Sequence, residues 1–342
     1  MVGMLALVAL LAIGGIGYLS MTEYQPESRE TLIVGKSSKE IELGQSVSLL
    51  TFNIGYGGLG ATEDFFMDGG SNVQPKNKAM VETNLAGIRD VLKENPSDIY
   101  LLQEVDRQAK RSYGINQEAY LDTELGMPSV FAHNFKVAYV PFPIPPIGRV
   151  DSGIMTMSEY QVSEASRLAL PNPFKWPVRL ANLKRSLLET RFDIKGSDKE
   201  LVVINLHLEA YDSGEGKVEQ SKLLGHILKE EYDKGNYVIA GGDFNQVFEG
   251  SQAFPVTGKD GWEPGKLAKA DLPAHFAYAF DDHVPTVRVL NAPYTGSYDT
   301  SQVYVIDGFI VSDNMKVNQV RVKDQDFKHS DHHPVSLDVS LE

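Results

Sequence analysis

The chain has 342 residues, 42% of them hydrophobic and none of them Cys, and its 46 Asp and Glu exceed its 32 Lys and Arg to give a formal net charge of −14. The apolar fraction supports a sizeable core and argues against a disordered or fibrous protein, while the absence of Cys excludes disulfides, thiolate nucleophiles, zinc fingers and iron–sulfur clusters. Any metal must therefore bind Asp, Glu, Asn or His, and the acidic charge disfavours a DNA-coating role because nucleic-acid affinity comes mainly from Lys and Arg.

The N-terminal segment has the composition of a membrane span. Residues 1–22 contain no charged side chain, and about 20 apolar residues in a helix cross a hydrocarbon core. We predict a retained transmembrane anchor; a cleaved signal peptide, which needs a basic start and a small-residue cleavage site, and a buried core helix are the alternatives. The charges that follow nearly balance and barely indicate an orientation. Export fits a chain without Cys, so we expect a single-pass membrane protein with its folded domain outside the cytoplasm.

The rest of the chain reads as a linker followed by one domain. Residues 23–45 are polar and non-periodic and predict a juxtamembrane linker, whereas residues 46–342 predict a single α/β domain. Apolar spacing predicts helices over 75–95 and 216–232. Strands are predicted over 46–53, 99–102, 136–140, 153–157, 186–194, 201–206, 237–240, 303–311, 317–322 and 335–339.

Two Pro-rich segments interrupt these strands. Residues 141–146 and 171–177 are predicted to be rigid surface loops because strands continue on both sides of them. Phe174 and Trp176 in the second loop are candidates for a bilayer interface or for packing against the domain.

Polar residues that can bind a metal or transfer a proton follow five predicted strands. They are Asn53 in LLTFN, Glu104 in YLLQEVD, Asn205 and His207 in VINLH, Asp243 and Asn245 in VIAGGDFN, and Asp331 and His332 in SDHHPV. Taken singly, each has an ordinary explanation, such as a solvated Glu or an Asx turn. Together they predict that carboxylate and amide oxygens meet at one edge of a sheet. Such oxygens are the ligands that Mg²⁺ prefers.

This order of motifs resembles the endonuclease/exonuclease/phosphatase superfamily. Its members include pancreatic deoxyribonuclease, abasic-site endonucleases, neutral sphingomyelinases and inositol polyphosphate 5-phosphatases. The resemblance extends from about Ser46 to Leu341. It implies an α/β (α+β) fold, a four-layer sandwich of two packed, mainly antiparallel sheets flanked by helices, here preceded by the transmembrane helix.

The resemblance also implies roles for the strand-end residues. The ligands of a divalent cation, Mg²⁺ or alternatively Mn²⁺, would be Asn53, Glu104 and Asp331. The catalytic residues would be His207, Asp243, Asn245, Asp307 and His332. In this scheme Asp243 orients or deprotonates water, Asn245 binds a phosphoryl oxygen, and Asp307 holds the imidazole of His332 in one tautomer.

His207 refines the resemblance to one branch of the superfamily. Deoxyribonuclease and neutral sphingomyelinase-like members carry a His in this Asn-x-His motif, whereas abasic-site endonucleases usually do not. The alternative for His207 is a structural histidine at a strand end.

Four further residues are candidates for contact with substrate. Arg149 and Asp151 precede GIMTMSEY, which resembles a family strand but has Glu159 where many members have a basic residue. Arg111 and Tyr113 follow Glu104 and could face the pocket or simply lie on a surface loop.

These features predict a membrane-anchored, Mg²⁺-dependent phosphoesterase that hydrolyses a phosphodiester, in a lipid head group or another small phosphoester. The alternatives are an extracytoplasmic nuclease and, from another class, a catalytically inactive membrane-tethered binding module. Duplex nucleic acid is disfavoured as a partner because eight-residue windows with five or more Lys or Arg are absent. We expect a monomer.

Overall fold

A computed structural model describes residues 2–257 and 262–342. The α-helices in this part of the chain are α1 (Val2–Met21), α2 (Lys78–Glu94), α3 (Gln117–Leu125) and α4 (Glu215–Asp233). The strands are β1 (Arg29–Thr31), β2 (Ile41–Glu42), β3 (Ser46–Asn53), β4 (Ile99–Asp106), β5 (Ser129–Val140), β6 (Gly148–Ser158), β7 (Glu164–Ala169), β8 (Ser186–Lys195), β9 (Glu200–His207), β10 (Tyr237–Asp243), β11 (Gln246–Phe248), β12 (Gly265–Leu267), β13 (Phe276–Ala279), β14 (Val287–Arg288), β15 (Val303–Tyr304), β16 (Asp307–Ser312), β17 (Met315–Val322) and β18 (Val335–Leu341).

Two large sheets contain most of these strands. The first has the order β1-β7-β8-β9-β10-β16-β13, with β2 beside β8, and the second has the order β17-β18-β3-β4-β6-β5. Neighbours in both sheets are antiparallel except for the parallel pairs β9/β10, β2/β8 and β3/β4. Mainly antiparallel pairing agrees with the predicted fold.

The sheets pack face to face and the helices cover their outer faces. Leu49 and Leu101 of the second sheet share a buried cluster with Val203 and Ile239 of the first. Leu224 of α4 packs on the outer face of the first sheet, as apolar residues of α2 and α3 do on the second. The central strands of each sheet are therefore buried on both faces, whereas most of β17 is exposed. The predicted four-layer sandwich is confirmed.

The segment predicted to be a linker forms part of the first sheet. Strand β1 pairs with β7, and β2 pairs with β8. Arg29 also binds Glu189, with Nη2 2.5 Å from Oε1. The sequence did not reveal these strands because they are only three and two residues long and lie in a polar segment, although Ile41 of β2 is buried in the core. The domain boundary at residue 46 stays a prediction.

Helix α1 lies outside the sandwich and exposes its apolar side chains. Its 20 residues measure about 30 Å at 1.5 Å per residue. This helix has the length and composition to cross a membrane. Its last turn contacts the domain, since Nε1 of Trp176 donates to Oγ of Ser20 at 3.5 Å.

A buried polar cluster joins the two sheets. Nε2 of Gln103 on β4 donates to Oδ1 of Asn205 on β9 at 2.8 Å, and Nδ2 of Asn205 donates to the carbonyl of Met155 at 2.9 Å. Both side chains are fully buried. Buried polar groups of this kind restrict how the sheets align, so the strand ends just beyond them are held in a defined position.

Candidate active site

The strand-end residues predicted to act together meet at one edge of the sandwich. The pairing register sets Asp243 beside both His207 and Asp307 in the first sheet. In the second sheet Asn53 is paired with Gln103, the residue before Glu104. His332 reaches the same edge through an isolated bridge to Val287.

Asp243 lies at the centre of this cluster. Its Oδ2 accepts a hydrogen bond from Nδ2 of Asn53 at 3.0 Å and lies 3.4 Å from Nε2 of His207 and 3.7 Å from Nε2 of His332. Its Oδ1 accepts from the backbone N–H of Asn245 at 2.9 Å. Both oxygens are thus held in a fixed orientation, as a group that positions a nucleophile requires.

His332 and Asp307 form a buried pair. Nδ1 of His332 lies 2.9 Å from Oδ2 of Asp307. Burial would lower the pKa of His332, but the carboxylates of Asp307, Asp243 and Asp331 outweigh it and raise that pKa to about 10. The imidazole therefore carries a proton at neutral pH, and Asp307 directs Nε2 towards the centre of the site.

His207 lies in the opposite electrostatic setting. Burial, followed by the positive charges of Arg185, His332 and Arg111, lowers its pKa well below 6.5. Its backbone carbonyl accepts a hydrogen bond from Nη1 of Arg185 at 3.1 Å. The site thus contains one neutral and one protonated histidine.

Two carboxyl groups of the site have raised pKa values. Burial is the largest cause for both, and it raises the pKa of Asp243 to about 6 and that of Asp331 to about 7. The negative charges of Glu104 and Asp68 also raise the pKa of Asp331, while protonated His332 opposes the shift. This concentration of carboxylates favours the binding of a positive charge.

A local backbone distortion directs Glu104 into the site. Its φ is +55°, in the left-handed region that non-glycine residues rarely adopt. The register between β4 and β6 shifts between Leu102 and Val105, so Glu104 lies in a bulge. Bulges of this kind commonly redirect a side chain next to an active site. Oε1 of Glu104 accepts a hydrogen bond from Nδ2 of Asn53 at 3.3 Å.

Two groups of side chains that could ligate a metal lie at the site. The oxygen-rich set consists of Glu104 and Asp331, with Asp68 close enough to raise the pKa of Asp331. Separately, donor atoms of Asp243, Asp307 and His332 all lie within 4.8 Å of one another. Carboxylate oxygens are suitable ligands for Mg²⁺ or Mn²⁺.

Asn53 presents its amide NH₂ group to two carboxylates of the site. Its Oδ1 accepts the backbone N–H of Gly55 at 3.0 Å, and its NH₂ group faces Glu104 and Asp243. Because the amide oxygen has a second lone pair, the role of Asn53 as a metal ligand stays a prediction beside its role as a hydrogen-bond donor. The sequence cannot distinguish these two roles because one amide provides both groups.

Arg111 and Asn245 also lie at the site. Arg111 is bound to Asp106 through two hydrogen bonds of 3.0 and 3.1 Å, and its Nη2 lies 3.9 Å from Oε2 of Glu104. Nδ2 of Asn245 donates to the carbonyl of Leu208 at 2.9 Å. Arg111 therefore reaches the carboxylates, and the backbone of Asn245 orients Asp243.

The side chains of the other candidates for substrate contact are bound to protein partners. Asp151 binds Nε2 of His133 at 3.0 Å, and Arg149 lies 3.5 Å from Asp151. Arg149 and Asp151 line a cavity with Tyr18 of α1. The hydroxyl of Tyr113 donates to the carbonyl of Pro75 at 2.7 Å. Arg149 and Asp151 are candidates because they precede a strand that resembles one of the family, and Tyr113 because it follows Glu104; their contact with substrate stays a prediction.

Three residues of the site were not identified from the sequence. The hydroxyl of Tyr211 donates to Oδ1 of Asp68 at 2.8 Å at the rim. Arg288 is 1% exposed and donates to the backbone carbonyls of Gly60 and Glu63 at 2.8 and 3.0 Å. None of the three follows a predicted strand. Asp68 and Tyr211 lie in loops and Arg288 lies in the short strand β14, and tertiary contacts bring them to the site.

The fold is shared with proteins of known structure. An endonuclease/exonuclease/phosphatase from Beutenbergia cavernae DSM 12333 is 21% identical, with a TM-score of 0.59 over 86% of this chain and 72% of that one. The corresponding protein from Bacteroides vulgatus is 15% identical, with a TM-score of 0.55 over 87% and 100% of the two chains. Truncated Caenorhabditis elegans TDP2 is 15% identical, with a TM-score of 0.53 over 87% and 98%.

Sequence comparison with curated proteins finds no match. Residues 50–332 do match the sequence profile of the Endonuclease/Exonuclease/phosphatase family. That match covers most of the sandwich and extends from strand β3 to His332 of the site. The chain belongs to the Endonuclease/Exonuclease/phosphatase family.

Proposed function

We propose that the protein is a membrane-anchored, metal-dependent phosphodiesterase whose substrate is a lipid head group or another small phosphoester. Members of its family are typically metal-dependent hydrolases of phosphoester bonds. The main support for the proposal is the arrangement of side chains around Asp243. Nitrogen atoms of Asn53, His207 and His332 lie between 3.0 and 3.7 Å from one of its carboxylate oxygens. Helix α1 would provide the single-pass anchor, with the domain outside the cytoplasm.

The residues around Asp243 would prepare and direct the attacking water. Asp243 would orient the water and accept its proton, because the bonds from Asn53 and Asn245 hold its carboxylate in place. His332 would offer the proton on Nε2 to a phosphoryl oxygen while Asp307 stabilises the imidazolium. Neutral His207, on the other side of Asp243, would hydrogen-bond the reacting phosphate.

Glu104 and Asp331 would hold the metal, with Asp68 adding negative charge beside them. The cation would supply Lewis-acid stabilisation of the charge that develops on the phosphate. We assign it to these carboxylates rather than to His332, because a protonated imidazole has no free lone pair for a metal. Mg²⁺ is the proposed ion and Mn²⁺ the alternative.

His207 supports a relationship to the deoxyribonuclease and neutral sphingomyelinase-like branch. A second histidine facing Asp243 gives the site an additional hydrogen-bond donor for a phosphodiester. The net charge of −14 opposes binding of long polyanions and therefore favours a small or lipid phosphodiester over duplex DNA.

The test uses the full chain, purified in detergent, with Mg²⁺ or with EDTA. Its substrates are sphingomyelin, phosphatidylinositol lipids, bis(4-nitrophenyl) phosphate and plasmid DNA. We expect phosphodiester hydrolysis that EDTA abolishes. Glu104→Gln and His332→Ala should each lower kcat/KM by roughly 100-fold or more while the circular dichroism spectrum is unchanged.

Matched controls carry the same changes on the surface. Glu82→Gln alters an exposed carboxylate of α2, and His275→Ala removes an exposed histidine paired with Asp313. Both should retain wild-type turnover. Full activity in the Glu104→Gln/His332→Ala double variant would refute the assignment, and rapid plasmid nicking without lipid turnover would favour a nuclease.

A further inference from the structure

Large apolar side chains are exposed on two Pro-rich loops. Phe142 and Ile144 are 69% and 90% exposed in the loop between β5 and β6, and Trp176 and Val178 are 57% and 58% exposed in the segment after β7. Grouped apolar side chains on a protein surface commonly mark an interaction site.

The last turn of α1 adjoins one loop and the strands that carry the other. Trp176 donates to Ser20 of that turn at 3.5 Å. On the side of β5 and β6, Tyr18 and Thr22 line a cavity together with Lys136 and Ala138, three residues before the loop that begins at Pro141. The C-terminal end of the apolar helix therefore lies beside the Trp176 segment and beside the β5–β6 hairpin that carries Phe142.

The depth of this helix end sets the depth of the loops. If α1 spans a bilayer, its last turn lies at the interface between hydrocarbon and head groups. A side chain bonded to Ser20 must lie at the same depth. Trp and Tyr are enriched at that interface because their rings combine an apolar body with a polar atom, which matches Trp176 and Tyr18.

The charges around the helix end complement anionic head groups. The basic residues at this end are Lys136, Arg149, Lys175 and Arg179. Two carboxylates offset part of their charge, because Asp151 lies 3.5 Å from Arg149 and Glu23 lies 3.2 Å from Arg179. In a chain of net charge −14, such a basic group beside a membrane helix is suited to binding anionic lipid.

The same loops border the active site. The ring of Phe142 contacts that of Phe66, with centroids 6.5 Å apart, and Phe66 is two residues before Asp68. The segment that contains Trp176 leads to Arg185, which binds the carbonyl of His207. The exposed apolar loops and the catalytic residues thus lie at one rim of the domain.

We propose that the two Pro-rich loops dock onto the bilayer that holds α1, with the basic residues bound to anionic head groups, so that the active site takes its phosphodiester from that membrane surface. The docking surface consists of Phe142, Ile144, Trp176 and Val178. Its partner is a lipid bilayer, and the choice of a lipid substrate rests on the proposed phosphodiesterase function.

The two tryptophans of the chain allow a direct test of docking. The full chain is placed in nanodiscs of phosphatidylcholine and phosphatidylglycerol whose acyl chains are brominated or unbrominated. Trp262→Phe leaves Trp176 as the only tryptophan. Trp176→Phe leaves Trp262, which donates to the carbonyl of Ala210 at 2.9 Å, as the control. We expect bromine to remove more than about half of the Trp176 fluorescence and little of the Trp262 fluorescence.

Two results would overturn docking. One is equal fluorescence of Trp176 in brominated and unbrominated discs. The other is protection of Trp176 from iodide without quenching by bromine, which would show that protein covers the loops. Ile144→Asp and Val178→Asp should reduce bromine quenching of Trp176. Val317→Asp is the matched control, because Val317 is an exposed valine far from the docking loops. It pairs with Val339, which pairs with Val47 at the start of β3, and the site residue Asn53 lies at the other end of that strand.

A second measurement separates docking from the proposed function. The ratio of sphingomyelin turnover in vesicles to bis(4-nitrophenyl) phosphate turnover should fall roughly tenfold in Ile144→Asp/Val178→Asp. An unchanged ratio contradicts delivery of substrate from the membrane. Quenching of Trp176 without hydrolysis of either substrate supports docking and refutes the phosphodiesterase function. Hydrolysis without quenching supports the phosphodiesterase function and refutes docking.

Discussion

The two histidines that face Asp243 are held in opposite protonation states by the groups behind them. Asp307 lies 2.9 Å from Nδ1 of His332, and the carboxylates around that ring raise its pKa to about 10. Burial and Arg185 lower the pKa of His207 well below 6.5. Groups whose environments move their pKa values apart can take different roles. In the proposed mechanism His332 provides a proton, and His207 acts as a neutral hydrogen-bond donor.

Removal of the negative charge behind His332 should change the pH dependence of activity. In Asp307→Asn the pKa of His332 should fall, so the protonated form is lost at a lower pH and the alkaline limb of the kcat/KM profile moves to lower pH. The pH–rate profile with a soluble phosphodiester measures this shift. Asp313→Asn, beside exposed His275, is the control. An unmoved alkaline limb would show that His332 is not the titrating acid.

Sequence reasoning identified the side chains at strand ends but not those supplied by loops. Glu104 and Asp243 lie in strands, and His332 precedes β18 and bridges to Val287. The sheet topology therefore brings all three to one edge. Asp68 and Tyr211 come from separate loops that a hydrogen bond joins. No local pattern encodes that contact, because it depends on how both loops close over the rim.

At the scale of elements, the pair Gln103 and Asn205 connects β4 of one sheet to β9 of the other. The side-chain NH₂ group of Gln103 also donates to the carbonyl of Leu101, and that of Asn205 donates to the carbonyls of Leu102 and Met155. Because both side chains are fully buried, loss of one leaves the partner without its hydrogen bonds. The two sheets are therefore coupled directly beneath the active site.

A double-mutant cycle tests this coupling. Asn205→Leu and Gln103→Leu should each lower the free energy of unfolding by about 1–3 kcal/mol, and the double variant should lose less than the sum. Denaturant unfolding of the full chain in detergent measures the change. Gln319→Leu, at an exposed position of β17, should cost within about 0.5 kcal/mol. Strict additivity would show that the two side chains act independently.

Strands with regular apolar patterns were predictable, and strands interrupted by buried polar groups were not. Strand β3 has the predicted bounds, while β4 continues to Asp106, beyond the expected end at Leu102. Strand β7 was not predicted because its sequence EASRLA contains Arg167. That side chain is 1% exposed and binds the carbonyls of His133 and Lys184. Its burial depends on tertiary partners that sequence periodicity cannot reveal.

At the scale of the whole molecule, the apolar helix and the acidic domain are distinct in composition. All of α1 is uncharged, whereas the chain as a whole carries −14. Retention in a membrane would then depend on the 20 residues of α1, since the docking loops alone bury far less apolar surface.

Charged residues in α1 should abolish anchoring without affecting the sandwich. In Leu7→Arg/Leu11→Arg each arginine adds about 2.5–3.5 kcal/mol to the cost of insertion, so the protein should leave the membrane fraction after carbonate extraction. Leu7→Ile/Leu11→Ile should remain there. Recovery of the arginine variant in the membrane fraction would contradict anchoring by α1. Mass spectrometry of the mature N-terminus distinguishes a retained anchor from a cleaved signal peptide.

The position of strand β18 has a consequence for the rate of folding. Strand β18 lies between β17 and β3, and its hydrogen bond from Ser46 of β3 to Val339 joins residues 293 positions apart in the sequence. Pairing over so long a separation must overcome a large loop-closure entropy and is therefore a slow step. Until β18 pairs, one edge of β3, the strand that ends in Asn53, is open to association with other chains. The catalytic rim is therefore completed by one of the slowest pairings in the domain.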